Sequence, residues 1–306
     1  MVLIKKRPEV SLLAPRAVRP GQAFEVTVGL RVDKELPTEA IVVELVGELR
    51  TRTAEHYYGR GFLRQRARLA EGATLGVGDH RHRVRFELPE SSPSSYKGEF
   101  LDVAYVVEVR VEIPWWPDKT VQFPIFVQAI AEPEFEERGR VFVPSLEGAA
   151  SDDAHFEFSL GSQVVEPGGR LHGAVAVSNT HAKRYRGFEL ELMVRERDPY
   201  NQFEHRRSLR RWVIDSDERL GSAGETMPFQ LSLPTSICPP FEVLGVSIEW
   251  ALRATLKVAW GRDRTIGVPL YVRVATDGRT QALAPVPVAV GDARATEMWR
   301  RATEAA

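Results

Sequence analysis

A chain of 306 residues with a single cysteine, Cys238, cannot close an internal disulfide, which points to a reducing compartment. Lysine is scarce as well. Only seven of the 41 basic residues are lysine, and a composition so rich in arginine lowers the information carried by any one arginine cluster. The net charge of −1 supplies no global field to recruit nucleic acid or anionic lipid, so any such contact has to be local and no nucleic-acid partner is expected. No apolar run approaches the ~18 residues of a membrane span, and MVLIKKRPEV has no apolar core of secretory-leader length. These absences predict a soluble, cytoplasmic chain.

Signatures of catalysis are also missing. The sequence holds no G-x-S-x-G elbow, no H-E-x-x-H, no Walker-type loop and no G-x-G-x-x-G after a strand. Cys238 lies in SICPPF with no positioned base in view, which reads as strand-end packing. His80 and His82 share one strand face, with His56 as the one further histidine considered beside them; imidazoles at i, i+2 without a neighbouring carboxylate or thiol make a poor metal site. The expectation is a non-enzyme with no cofactor and no metal. A hydrolase or metal-dependent enzyme on a β-sandwich scaffold is the weaker alternative.

What the sequence does have is period-2 alternation. FEVTVGLRV (24–32), AIVVELVGEL (40–49), HRVRFEL (82–88), VAYVVEVRVEI (103–113) and TVQFPIFV (120–127) place Val, Ile, Phe and Tyr on alternate positions, with Gly, Pro and Asp between the runs. Helical periodicity is nearly absent. Hydrophobic residues make up 43% of the chain, enough to fill the interior of antiparallel sandwiches with one wet face per sheet.

The pattern then repeats. LPESSPSSYKGEFLDVAYVVEVRVEIPWWPDKTVQFPIFV, from Leu88, lies without a gap over LPTSICPPFEVLGVSIEWALRATLKVAWGRDRTIGVPLYV, from Leu233. In that register Tyr105 meets Trp250 and Trp115 meets Trp260, and Glu44 meets Glu189. RPG (19–21) pairs with EPG (166–168) two residues out of step. The repeat implies a duplicated domain, with Tyr105 and Trp250 at equivalent core positions. The expected fold is all-β, two tandem immunoglobulin-like antiparallel β-sandwiches. Residues 1–130 form the first domain, 131–153 a linker, 154–276 the second domain and 277–306 a Pro/Ala-rich tail.

The stretch LPESSPSSYKGEF sets a stiff Pro/Ser connection between two strands. Pro89 cannot donate to a ladder, so the strand before it ends there, and serines can satisfy loop backbone. Gly78, His80, Phe86, Leu88-Pro89, Pro93-Ser94, Tyr96, Gly98 and Tyr105 together resemble the central motif of the arrestin fold. A weaker copy, GETMPFQLSLP…PPFEVLGVSIEWAL, follows in the second half. The resemblance covers most of residues 10–275 and implies tandem arrestin-like N and C domains and a scaffold or adaptor role. No Pro-Pro-x-Tyr motif is present, since PPFE (239–242) departs at its last position.

Three sets of residues are candidates for partner binding. Arg64, Arg66 and Arg68 alternate along one segment and Arg81, Arg83 and Arg85 along the next; if these segments are neighbours, six guanidiniums crowd one outer sheet face and suit an acidic or phosphorylated protein. Arg206, Arg207, Arg210 and Arg211 fall in the equivalent region of the second half. Trp115 and Trp116 sit at a hairpin tip in IPWWPDKT, where exposed indoles suit a protein or a lipid headgroup layer. Lys5 and Lys6 loosely resemble the phosphate-sensing lysine pair of eukaryotic arrestins. The reading is a non-catalytic adaptor that binds a protein partner through its sheets and loop tips. The alternative is a ligand- or lipid-headgroup-binding module using the tryptophan tips, which leaves peripheral membrane contact open.

Overall fold

A computed structural model describes residues 7–15, 17–52, 57–128, 139–144, 155–178, 185–215, 226–259, 262–274 and 286–288. All regular structure among them is β, so the fold is all-β, as the alternation predicts. The chain divides into two compact units, Met1–Ile130 with Thr276–Ala306, and Ala131–Ala275.

The first unit contains β1 (Glu9–Ala14), β2 (Ala23–Val32), β3 (Leu36–Arg52), β4 (Tyr57–Leu75), β5 (Gly78–Glu87), β6 (Tyr96–Lys97), β7 (Leu101–Ile113) and β8 (Trp116–Ile125). One sheet runs β1-β2-β5; the other runs β4-β3-β7, with β6 and β8 both paired to β7. Every strand pair is antiparallel. The core follows directly from period 2. Phe24, Val26, Val28 and Leu30 of β2, and Val103, Tyr105, Val107, Val109 and Val111 of β7, are buried while their neighbours, Ala104 apart, are not. Each such large apolar side chain contributes ~1.5–3 kcal/mol by leaving water. Val18, between β1 and β2, bridges in parallel to Val127 after β8, its N–H donating to the Phe126 carbonyl at 2.9 Å.

The second unit contains β9 (Arg140–Phe142), β10 (His155–Leu160), β11 (Val164–Val165), β12 (Arg170–Ser178), β13 (Tyr185–Asp198), β14 (Phe203–Asp215), β15 (Thr226–Ser232), β16 (Phe241–Val243), β17 (Val246–Val258) and β18 (Arg264–Val272). Its sheets run β9-β10-β12-β15 and β14-β13-β17-β18-β11, with β16 also on β17. The parallel pairing of Val165 with Val272 has the same form as Val18 with Val127. Phe156 of one sheet meets Phe188 of the other edge to face, ring centroids 5.1 Å apart, so the two inner faces pack on each other.

Two three-residue strands come from segments without alternation. β9 pairs with Phe158–Leu160 of β10. β19 (Val286–Val288) belongs to the first unit and pairs with Leu12–Ala14 of β1. The segments read as linker and tail thus each lend an edge strand to the first strand of a sheet.

Candidate functional site

The Pro/Ser stretch carries the chain from β5 in one sheet to β6 in the other, and its counterpart carries it from β15 to β16. Ser92, Ser94 and Ser95 are buried. The Ser95 N–H donates to the Val127 carbonyl at 2.8 Å, and the Ser95 hydroxyl accepts from the Val127 N–H at 2.9 Å. Loop backbone buried in this way has to be paired. These polar atoms are spent inside the fold and do not present themselves to a partner.

The six arginines do not crowd one face. β4 pairs with β3 and β5 with β2, so the two stripes lie on the edge strands of different sheets. The edges meet where the Gln65 side chain brackets the backbone of Glu87: its Nε2 donates to the Glu87 carbonyl, and its Oε1 accepts from the Glu87 N–H at 3.2 Å. Crowding across adjacent strands is therefore not what governs these side chains.

Their environments also differ. In the β3–β4 register Glu44 stands opposite Arg66, with Arg64 opposite Val46. Glu44 is 5% exposed, and its carboxylate takes Arg64 at 3.1 Å and Arg66 at 3.6 Å. A buried carboxylate needs such partners. Arg68 pairs with Glu71 at 2.7 Å. On β5, Arg81, Arg83 and Arg85 are all exposed. Arg83 reaches Glu25 at 3.7 Å, an exposed pair of little energetic weight. Arg81 and Arg85 make no ion pair or hydrogen bond among the described residues. The odd-numbered positions of β5 also turn their N–H and C=O groups away from β2, as the Gln65 bracket on Glu87 and the Leu88 N–H to Gln22 carbonyl bond show. An open strand edge at 81, 83 and 85 therefore coincides with unpaired Arg81 and Arg85 and with Arg83, whose one ion pair is exposed.

In the second unit Arg195, Arg206, Arg211 and Arg253 are laced to glutamates. Arg211 pairs with Glu189, Arg253 Nε donates to Glu191 at 2.7 Å, and Arg195 pairs with Glu204 at 2.7 Å and Glu249 at 3.3 Å. Arg206 also takes Glu204, at 2.8 Å. The hydrogen bond from Arg195 holds the Glu204 carboxyl below the usual range, and the bond to Glu189 holds Arg211 above its own. Arg210 lies 5.8 Å from the centre of the Trp212 ring.

Trp115 is 99% exposed and Trp116 36%. Ile113 pairs with Trp116, so Pro114 and Trp115 form a two-residue turn, with Trp115 at φ 59°. A second exposed apolar tip was not anticipated. Tyr200, 72% exposed, lies in the turn between β13 and β14, with its ring over Gly245 beside exposed Leu244. Asp198 braces that turn by accepting from the Tyr200 N–H at 3.1 Å and the Asn201 Nδ2 at 2.7 Å. The run D-P-Y-N is an Asx-turn signal that could have marked it. Lys5, Lys6, His56 and Trp260 lie outside the described residues.

Dehydration pushes the Cys238 thiol up to about 12. His82 faces inward on β5; burial, then the neighbouring His80, pull its imidazole below the ordinary value. His80 Nε2 is bonded to the Gly76 carbonyl at 2.8 Å. Among the described residues no three His, Cys, Asp or Glu side chains gather as metal ligands would, and no helix is long and apolar enough to cross a membrane.

Comparison with known proteins supports the family expected from the motif. The model of the arrestin (or S-antigen) N-terminal domain matches residues 63–131. Arrestin domain-containing protein 1 of Homo sapiens is 28% identical over 111 residues, 35% of this chain and 26% of that protein. The Mus musculus protein of the same name matches to the same extent. The chain thus spans about a quarter of the length of these curated relatives. The matched segment, which is similar to the arrestin N-terminal domain, runs from within β4 through the crossover loop past the end of β8.

Proposed function

We propose that this chain is a non-catalytic, cytoplasmic adaptor that holds an acidic or phosphorylated segment of a protein partner against β5. The arrestin-type relation supports an adaptor role in general terms. One observation favours the surface: Arg64, Arg66, Arg68, Arg206 and Arg211 have acidic partners within their own unit and Arg210 lies over Trp212, whereas exposed Arg81 and Arg85 have neither kind of contact among the described residues. An extended acidic segment lying along β5 meets unpaired backbone groups at alternate positions and a guanidinium beside each, the geometry of strand addition with charge-assisted contacts.

The same reading takes residues 1–130 and 154–276 as products of a duplication. Supporting it are the shared strand order, the paired parallel bridges, and the Pro-Gly turns with Gly21 at φ 72° and Gly168 at φ 71°. The test of the binding surface is capture of the native partner by the full chain and by the Arg81→Ser/Arg85→Ser variant. The expected result is loss of capture in the variant with folding unchanged. Equal capture by both proteins would remove β5 from the account.

A further inference from the structure

The tip of the β7–β8 hairpin combines three features that its place in the fold does not require. Trp115 is 99% exposed, where a single exposed apolar side chain is ordinary but a fully exposed indole is costly. It also occupies the second central position of a two-residue turn at φ 59°, a left-handed value that glycine or asparagine adopts without steric cost and a bulky residue does not. Finally, residues 113–117, Ile-Pro-Trp-Trp-Pro, carry no charge, and Pro114 and Pro117 have no N–H to leave unsatisfied. Glycine at position 115 would relieve the backbone and remove the exposed ring together.

From this tip we infer a peripheral site for the interfacial layer of a phospholipid bilayer, with Trp115 as the inserted side chain and Trp116 beside it. Indoles favour the headgroup boundary, where the ring is shielded and the N–H stays wet. A tip short of free backbone donors loses little when water leaves it. A protein hot spot needs a surrounding surface that excludes water, and a two-residue Pro-Trp turn supplies no such ring; a bilayer encloses a convex tip from every side. The registers of β3, β4, β5 and β7 bring the Asp33-Lys34-Glu35 turn and exposed Val77 to the same end of the unit. With Glu112, Asp118 and Lys119 the rim carries both signs of charge. The site therefore takes a zwitterionic surface without electrostatic help, and it is distinct from the salt-sensitive contact proposed for β5.

The test uses the full chain with phosphatidylcholine vesicles, read by flotation and by quenching of tryptophan emission with brominated lipid. Wild type floats and is quenched, and 0.5 M salt leaves both unchanged, because little of the contact is ionic. Trp115→Gly partitions about tenfold less, the factor carried by burial of one large apolar side chain, without a lower melting temperature. Trp115→Phe retains part of the binding. Three results overturn the inference: no flotation of wild type, equal flotation of wild type and Trp115→Gly, or binding that needs anionic lipid and fades with salt. Loss of a captured protein on Trp115→Gly, with vesicles ignored by wild type, would assign the tip to a protein contact and also reject the bilayer.

Discussion

The Trp250 indole N–H donates to the Cys238 carbonyl at 2.7 Å. In the other unit the Tyr105 hydroxyl makes the matching bond, twelve residues back, to the Pro93 carbonyl at 2.7 Å. Each bond pins the crossover loop to the central strand of a sheet and satisfies a carbonyl that would otherwise face the core. Removing the donor leaves that acceptor buried and unpaired. Tyr105→Phe should therefore destabilise the chain by about 1–3 kcal/mol in urea unfolding, although it deletes one oxygen. A variant as stable as wild type would mean that the loop does not depend on this bond.

The same residue should show in the alkaline limb of stability. Burial raises the Tyr105 phenol above its ordinary 10.0, an effect that outweighs the hydrogen bond with Ser92. Below pH 10 the phenol is protonated in both folded and unfolded chains and contributes no slope. Above it the unfolded chain loses the proton first, so stability falls as pH rises. The slope should shrink in Tyr105→Phe, measured by urea midpoints between pH 9 and 11.

Glu44 separates the two arginine stripes. Arg64→Ser/Arg66→Ser strips a buried carboxylate of its partners and should cost about 1–2 kcal/mol, a figure discounted from buried-pair values because both arginines are largely exposed. Adding Glu44→Gln should recover part of that loss. Arg81→Ser/Arg85→Ser should stay within about 0.5 kcal/mol of wild type. Equal costs for the two double variants would contradict the assignment of structural work to β4.

These contrasts mark how far the sequence could be read. Alternation in 24–32 and 103–113 defined strands and their buried faces because period 2 is imposed by the pleat itself. The loop at 89–95 was legible because proline ends a ladder. The separation of β4 from β5 was not, since consecutive strands joined by Gly76-Val77 usually pair, and here the connection crosses between sheets. Glu44 stood on an outward position, where an acid normally meets water; only the register opposite Arg66 shows it covered. β19 is three residues long, too short for a period to show, whereas RVFVP (140–144) within the linker does mark a short strand at β9.

Cys238 contributes a carbonyl to the fold and withholds its thiol. With the thiol pushed up to about 12, almost no thiolate exists at neutral pH. Iodoacetamide at pH 7.5 should label the native chain far more slowly than the chain in 8 M urea. Rapid native labelling would reopen a nucleophilic role for Cys238.

The central claim, an acidic partner held by the free arginines of β5, is tested most directly by the salt dependence of affinity for the captured partner. For wild type, log K should fall steeply with log salt, as exposed charges are screened within ~10 Å at 0.1 M. For Arg81→Ser/Arg85→Ser the affinity should be lower and the slope flatter at every salt concentration. An affinity that ignores salt, or a slope that is the same with and without Arg81 and Arg85, would contradict the account.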